Sequence, residues 1–320
     1  YRVIADGLTQ NGIWALTHIN DYLEGNIKKH ELTVERREKL LSEYLQQTGL
    51  DANPVLITYF PDERIDSLIY SYQKNSPEID FKYEDGSRHQ LWVVDDLEDL
   101  NTLVSAFEEI PTVYIADGHH RIASMAKMAK HQRTLAVQDE DSSFNYFSTA
   151  YFSTAQVKVL EFNRLVKDLN GFNTAEFLAK VAQCFLIEKV EGPIKSLVMH
   201  EFGMYLSKCW YKLTAKATIF DPKDPISVLD VSILHDYILK PILKIEDPRT
   251  DARITFEGGK TPVEDLQGQV DNGNYAIAFT LFPTSVQQLI NVADKDGVMP
   301  PKSTWVEPKF LVGMLTNRLM

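Results

Sequence analysis

The feature that most constrains the fold is a short apolar strand that runs directly into a polar turn and then into a helix. Residues 113–116 read Val-Tyr-Ile-Ala, and the helix predicted over 121–131 has its apolar side chains on one face. The turn between them is Asp117-Gly118-His119-His120-Arg121. A polar turn at a strand-to-helix junction is typical of ligand sites in mixed α/β proteins.

Each part of this turn suits a bound anion, and phosphate in particular. The first N–H groups of a helix have no internal acceptor and carry the positive end of the helix dipole. Gly118 lets the backbone approach an anion closely. His119 and His120 can donate hydrogen bonds to phosphate oxygens, and Arg121 offers a fork of donors that matches phosphate geometry. The residues therefore predict a phosphate-binding turn, with a plain surface loop as the alternative.

Asp117 has two interpretations that the sequence leaves open. Its side chain could cap the helix, or it could hold a magnesium ion that bridges phosphates. The paired histidines could also be half of a zinc site. Neither Cys184 nor Cys209 lies near them in the sequence, and two adjacent histidines do not have the usual spacing of zinc ligands on one element. Zinc is therefore disfavoured.

Elsewhere the pattern of apolar residues predicts a mixed α/β (α+β) fold. Strands and helices alternate over residues 1–145, and shorter elements of both kinds follow. The predicted organisation is a first domain over 1–152, an α+β middle region over 153–220 and a C-terminal α/β region over 221–320. Further local predictions are a hairpin turn at Gln10-Asn11-Gly12, an N-cap at Thr33, a helix start over 163–166, and a capping box formed by Thr284 and Gln287.

Composition excludes some classes of protein. The formal net charge of −12 and the pI near 5.2 argue against a nucleic-acid or anionic-membrane binder, because such affinity depends on basic surface. No apolar run approaches the roughly 20 residues that span a bilayer. Two cysteines are too few for a disulfide framework. We therefore expect a cytoplasmic protein whose anionic ligand is met by a local positive site.

Two further segments carry candidate chemistry. Glu31 lies just ahead of a predicted helix and could accept the proton of an attacking hydroxyl, although a solvated helix entry is the commoner explanation of such a charge. The proline-bounded segment 299–309 carries Lys302 and Lys309. Lys302 could contact phosphate or a carboxylate substrate, and a surface lysine is the alternative. The sequence has no Walker phosphate loop.

Three ordered motifs together mark a family resemblance. They are residues Ile27–Thr33, Ile115–Arg121 and Met299–Thr304. In this order they resemble the bacterial and archaeal family called domain of unknown function ten-fifteen, and the resemblance covers essentially the whole chain. Members of that family usually have a further segment ahead of the position of Tyr1, so we expect that preceding residues are missing here.

The resemblance implies a fold, an activity and roles for residues. The fold would be a domain similar to the ParB and sulfiredoxin domains, in which a glycine-containing turn ending in arginine binds nucleotide phosphates. The related activity is that of free serine kinase, which phosphorylates serine with ADP or ATP and Mg²⁺. The resemblance assigns the phosphate and metal motif to Asp117, His119, His120 and Arg121, with Asp117 on the metal, and the catalytic glutamate to Glu31.

Two functional hypotheses follow. The first is a nucleotide-dependent phosphotransferase that acts on serine or a similar small amino acid. Its catalytic residues are Glu31 and Asp117, and its nucleotide contacts are Gly118, the two histidines, Arg121 and Lys302. The second is a ParB-like nucleotide-binding regulatory or hydrolase module without kinase activity. The expected partners are a nucleotide and a small amino acid, without a membrane or nucleic acid.

Overall fold

The computed structural model describes residues 1–135 and 141–319. Within them the chain forms two compact units. Unit 1 begins at Tyr1, runs to Lys158 and resumes at Val306, and unit 2 is Val159–Trp305. Of the helices that the structure describes, none combines the length and the apolar character needed to cross a bilayer.

Strands and helices are interspersed along the whole chain, and the prediction of a mixed α/β fold is confirmed. The strands are β1 (Arg2–Ala5), β2 (Leu8–Asn11), β3 (Ile13–His18), β4 (Ile27–Lys28), β5 (Leu50–Asp51), β6 (Val55–Tyr59), β7 (Ile79–Lys82), β8 (Arg88–Leu91), β9 (Val113–Asp117), β10 (Tyr146–Ser153), β11 (Lys158–Leu160), β12 (Phe162–Val166), β13 (Phe185–Val190), β14 (Glu201–Leu206), β15 (Cys209–Ala215), β16 (Ile254–Gly258), β17 (Ile277–Thr280), β18 (Trp305–Glu307) and β19 (Asn317–Arg318). The α-helices are α1 (Ile19–Leu23), α2 (Glu35–Thr48), α3 (Glu63–Tyr72), α4 (Leu97–Glu108), α5 (His119–Leu135), α6 (Thr174–Val181), α7 (Asp230–Leu234), α8 (Val263–Asp271) and α9 (Val286–Asp294), and a π-helical turn at His235–Leu239 continues α7.

The predicted junction lies in the main sheet of unit 1. This sheet has the strand order β3-β10-β6-β9-β4, with β9 antiparallel to β6 and parallel to β4. Ile115 of β9 and Ile122 and Met125 of α5 are buried in one apolar core. Because the strand and the helix share this core, packing fixes the turn between them at the C-terminal end of β9.

Unit 2 is built on a six-stranded sheet with the order β13-β15-β14-β17-β12-β16. The predicted regions 153–220 and 221–320 share this sheet, because β12 pairs with β16 and β14 pairs with β17. Pairing between strands so distant in sequence is not visible in any local pattern.

The first hairpin differs from the prediction. Its turn lies at Asp6-Gly7, where both residues have positive φ (51° and 74°), as a two-residue hairpin turn requires. The predicted turn at Asn11-Gly12 is wrong. Gly12 instead allows a close approach, because a Cβ at this position would lie 2.4 Å from the carbonyl oxygen of Tyr151.

The helix start predicted over 163–166 is also wrong. These residues belong to β12, and all five residues of that strand are buried. It lies between β17 and β16 in the sheet. A strand buried on both faces lacks the alternation of apolar and polar residues that identifies exposed strands.

Two predicted helix caps are displaced by one residue. The N-cap of α2 is Val34, and Thr33 instead donates a hydrogen bond to the carboxylate of Glu38. The capping box of α9 is formed by Ser285 and Gln288, not by Thr284 and Gln287. Helix boundaries of this kind depend on tertiary contacts, and so shift easily by one residue.

Candidate functional site

The turn between β9 and α5 is shaped by Gly118. Its φ of +108° lies in the region that favours glycine. A Cβ at this position would lie 2.9 Å from Nε of Arg121, so the guanidinium packs directly on the glycine backbone. The positive end of the α5 dipole and a fixed cation therefore meet at one turn.

Arg121 is held by acceptors from two segments of unit 1. Its Nη1 donates to Oδ1 of Asn53 at 2.8 Å and to the carbonyl oxygen of Pro54, and its Nη2 donates to Oδ2 of Asp117 at 3.2 Å. Burial lowers the pKa of Arg121, while Asp117 and Asp51 act in the opposite direction. The side chain keeps 21% of its surface exposed, so an anion can reach a cation that is already oriented.

Asp117 lies between two cations. Its Oδ2 accepts hydrogen bonds from Nζ of Lys309 at 3.1 Å and from Arg121. Burial by itself would raise the pKa of Asp117, but Lys309, Arg121 and the amide of Gly118 outweigh it, and the pKa is lowered. The carboxylate is therefore ionised at neutral pH.

Lys309 was not among the predicted site residues. It belongs to the proline-bounded segment that the sequence singled out for Lys302, but it is separated from Asp117 by 192 positions. Its backbone N–H donates to Oε2 of Glu307 at 3.1 Å. The sequence pointed to Lys309 only indirectly, as a second lysine in the segment that was selected for Lys302.

His119 is buried, with 4% of its side chain exposed, and lies close to the candidate base. Its Nε2 accepts a hydrogen bond from the backbone N–H of His30 at 3.5 Å, and its Nδ1 lies 3.7 Å from Oε2 of Glu31. The rings of His30 and His119 pack edge to face with centroids 4.4 Å apart. Burial, reinforced by the neighbouring His30, His120 and Arg121, lowers the pKa of His119 well below its ordinary value. The ring is therefore neutral at pH 7.

His120 contacts the start of α2. Its Nε2 accepts a hydrogen bond from the backbone N–H of Val34 at 3.0 Å. Burial and the nearby Arg37 lower its pKa, while Glu38 acts in the opposite direction. Its Nε2 is therefore occupied by the polypeptide itself.

Six predicted site residues, Glu31 and the five from Asp117 to Arg121, are thus in unit 1 around one turn. Lys302 belongs to unit 2. There its carbonyl oxygen accepts a hydrogen bond from Nη2 of Arg164 at 3.1 Å, and its Nζ lies 5.2 Å from the ring centroid of Phe162. Its φ of +57° is unusual for a residue other than glycine.

The residues of the turn suit one mode of magnesium binding. Within residues 1–135 and 141–319, no group of three or more His, Cys, Asp or Glu side chains could hold a metal ion by itself. Magnesium is, however, commonly held by one or two carboxylates together with substrate phosphates and water. The ionised and partly exposed carboxylate of Asp117 fits that mode.

Comparison with known proteins gives a family and several similar structures. The chain matches the family described as "Protein of unknown function (DUF1015)" over residues 1–232. No curated protein matches the sequence.

Three solved structures are similar to this chain at low sequence identity. Free serine kinase in complex with AMP is 13% identical, with 93% of this chain and 88% of that chain covered and a TM-score of 0.43. SbnI with C-terminal truncation from Staphylococcus aureus is 11% identical, with 93% and 85% covered and a TM-score of 0.47. A conserved hypothetical protein from Pyrococcus furiosus is 13% identical, with 96% and 95% covered and a TM-score of 0.42.

Proposed function

This chain belongs to the DUF1015 family of proteins of unknown function, and we propose that it is a nucleotide-dependent phosphotransferase. Its acceptor is the hydroxyl of free serine or of a similar small amino acid, and its donor is ADP or ATP with Mg²⁺. The choice of reaction rests on the motif resemblance to free serine kinase. Support from the geometry comes from the turn between β9 and α5.

The observation that carries the proposal is that two cations and the N-terminus of α5 lie together at the carboxylate of Asp117. Arg121 and Lys309 both contact Oδ2 of Asp117, and the guanidinium packs on Gly118. Two fixed cations at one turn provide donors for an anion on a chain with a net charge of −12. Phosphoryl transfer chiefly requires such positioning and charge neutralisation.

Glu31 is the proposed base. Its side chain is 42% exposed, so a hydroxyl can reach it, while the buried His119 lies behind it. As the serine oxygen bonds to the terminal phosphorus, Glu31 takes the hydroxyl proton. The bond from that phosphorus to the bridging oxygen breaks, and the nucleotide leaves with one phosphate fewer. A carboxylate suits this role because the attacking alcohol becomes acidic in the transition state.

Asp117 is the proposed metal residue. When bound, Mg²⁺ neutralises charge on the phosphates of the donor. Arg121 and Lys309 hold Asp117 ionised and therefore ready to act as a ligand. Lys302 is kept as a proposed contact to phosphate or to the carboxylate of the amino acid.

The test is phosphorus NMR of the purified chain with serine, Mg²⁺ and either ADP or ATP. We expect O-phosphoserine to accumulate. A Glu31→Gln variant should lose turnover and keep its nucleotide affinity, as measured by calorimetry. Glu35→Gln is the matched control, because Glu35 is an exposed carboxylate in the first turn of the adjacent helix α2.

Three outcomes separate the hypotheses. Phosphoserine that disappears in Glu31→Gln but not in Glu35→Gln supports the proposal. Nucleotide binding without transfer to any small hydroxy amino acid would instead favour a ParB-like regulatory or hydrolase module. Full activity of Glu31→Gln would remove Glu31 from the mechanism.

A further inference from the structure

The candidate base is carried by a segment without regular secondary structure. Residues 30–34, here called the base segment, lie in the connection between β4 and α2 and include Glu31. The N-cap of α2, Val34, makes no side-chain cap hydrogen bond. The position of Glu31 therefore depends on contacts that the base segment makes with the rest of unit 1.

Two such contacts come from the first turn of α5. The N–H of His30, at the start of the base segment, donates to Nε2 of His119 at 3.5 Å. The N–H of Val34, at its end, donates to Nε2 of His120 at 3.0 Å. The adjacent histidines thus hold the two ends of the segment, with Glu31 between them.

The direction of these hydrogen bonds fixes the state of both rings. A nitrogen that accepts a hydrogen bond carries no proton, so the proton of each neutral imidazole is on Nδ1. In His119 this Nδ1–H lies on the side of Glu31, at 3.7 Å from Oε2. Both ring nitrogens of His119 therefore face the polypeptide, and Nε2 of His120 is occupied by Val34, so neither Nε2 is available to donate to a phosphate.

We infer that His119 and His120 are positioning residues that hold the base segment, and so Glu31, over the turn, and that the Nε2 atoms of the two rings are not phosphate donors. This inference rests on the proposed function for the role of Glu31, but the hydrogen bonds do not. The phosphate contacts then fall to the two cations, Arg121 and Lys309. The histidines act through Glu31, and their loss should affect turnover more than nucleotide binding.

The first measurement is independent of activity. Long-range nitrogen–proton NMR of the imidazoles distinguishes the two neutral tautomers of each histidine in the complete chain. We expect the Nδ1–H tautomer in both His119 and His120. The Nε2–H tautomer in either ring would overturn the inference for that residue, because Nε2 could not then be the acceptor.

The second measurement uses variants of the partly exposed His120. In His120→Gln the side-chain oxygen can still accept from the N–H of Val34, whereas in His120→Leu it cannot. We expect kcat to fall by about tenfold or more in His120→Leu, with KM for the nucleotide changed less than about threefold, and to recover in His120→Gln. Lys127→Met is the control. It removes a different contact between α5 and α2, the ion pair in which Nζ of Lys127 lies 3.4 Å from Oε2 of Glu38.

The outcomes are distinct from those of the proposed function. If the wild-type chain transfers no phosphate, the proposed reaction fails, and the tautomers still decide whether the histidines hold the base segment. Equal loss of activity in His120→Leu, His120→Gln and Lys127→Met would show general disruption and overturn the positioning role. A raised KM with unchanged kcat would assign His120 to the nucleotide instead.

Discussion

Units 1 and 2 each bury a titratable side chain that lacks a full set of hydrogen bonds, and the two groups have opposite acid–base character. In unit 1 His30 is 1% exposed, and neither ring nitrogen has a hydrogen-bond partner among the described residues. In unit 2 Asp230 is 7% exposed; its Oδ1 accepts from the N–H of His200 at 2.9 Å, and its Oδ2 lacks a partner among the described residues. Burial lowers the pKa of His30 to about 4, against the opposite effect of Asp117, and raises that of Asp230 to about 7.

This difference makes the stability of the two units respond oppositely to pH. Between pH 6.5 and about 4 the unfolded His30 binds a proton that the folded ring does not, so stability falls as the pH falls. Between about pH 4 and 7 the folded Asp230 keeps a proton that the unfolded chain loses, so stability falls as the pH rises. If the free energy of unfolding of the whole chain changes little with pH, the opposite contributions of His30 and Asp230 cancel.

The largest expected effect is that of Asp230→Asn. An amide stays neutral at all pH values and can still accept from His200, so it removes the cost of keeping this position uncharged. We expect the free energy of unfolding at pH 7 to rise by up to about 4 kcal/mol, with little change at pH 4. Urea unfolding at the two pH values measures this. Parallel profiles of wild type and variant would contradict the contrast between the units.

The next effect is that of His30→Phe. Phenylalanine keeps an aromatic ring at this buried position and cannot bind a proton. The backbone N–H of residue 30, which donates to Nε2 of His119, is retained. Wild type should lose about 3 kcal/mol of stability between pH 6.5 and 4 that the variant does not lose. The check is the slope of unfolding free energy against pH. An unchanged slope would place the proton uptake elsewhere.

The smallest expected effect compares two arginines, one in each unit. Arg121 pairs with a carboxylate, whereas Arg164, with its pKa lowered to about 9 by burial, donates to the carbonyl oxygens of Phe162 and Lys302 and has no carboxylate partner among the described residues. We expect Arg121→Met to weaken nucleotide binding by about 2 kcal/mol, roughly thirtyfold, because a charge-assisted phosphate contact is lost. Arg164→Met is the matched control and should change the affinity less than about threefold. Calorimetry gives both values, and equal losses would contradict the assignment of the anion site to unit 1.

Local sequence patterns were sufficient where neighbours along the chain decide the structure. The strand and helix on either side of Gly118 were predicted because both have clear apolar periods and the glycine marks the turn. The motifs also gave Glu31 and the residues from Asp117 to Arg121 as one candidate site.

Contacts between distant segments were not predictable in this way. The hydrogen bond from Val34 to His120 joins residues 86 positions apart, and the ion pair of Lys309 with Asp117 joins residues 192 positions apart. From the sequence, His119 and His120 were predicted to donate hydrogen bonds to phosphate oxygens. In the structure, their Nε2 atoms accept hydrogen bonds from the backbone N–H groups of His30 and Val34. A side chain's hydrogen-bond direction depends on its partner, and its partner is set by tertiary packing.

The long return of the chain from Asp117 to Lys309 has a consequence for biosynthesis. Ribosomes add about 5–20 residues each second, so the 192 positions between these residues take roughly 10–40 s to translate. By the end of that interval β9 and α5 have long been translated. Of the two cations that contact Asp117, Arg121 is present throughout and Lys309 has yet to be made. The second cation arrives only after all of unit 2 has been translated, so the ionic site matures late on the ribosome.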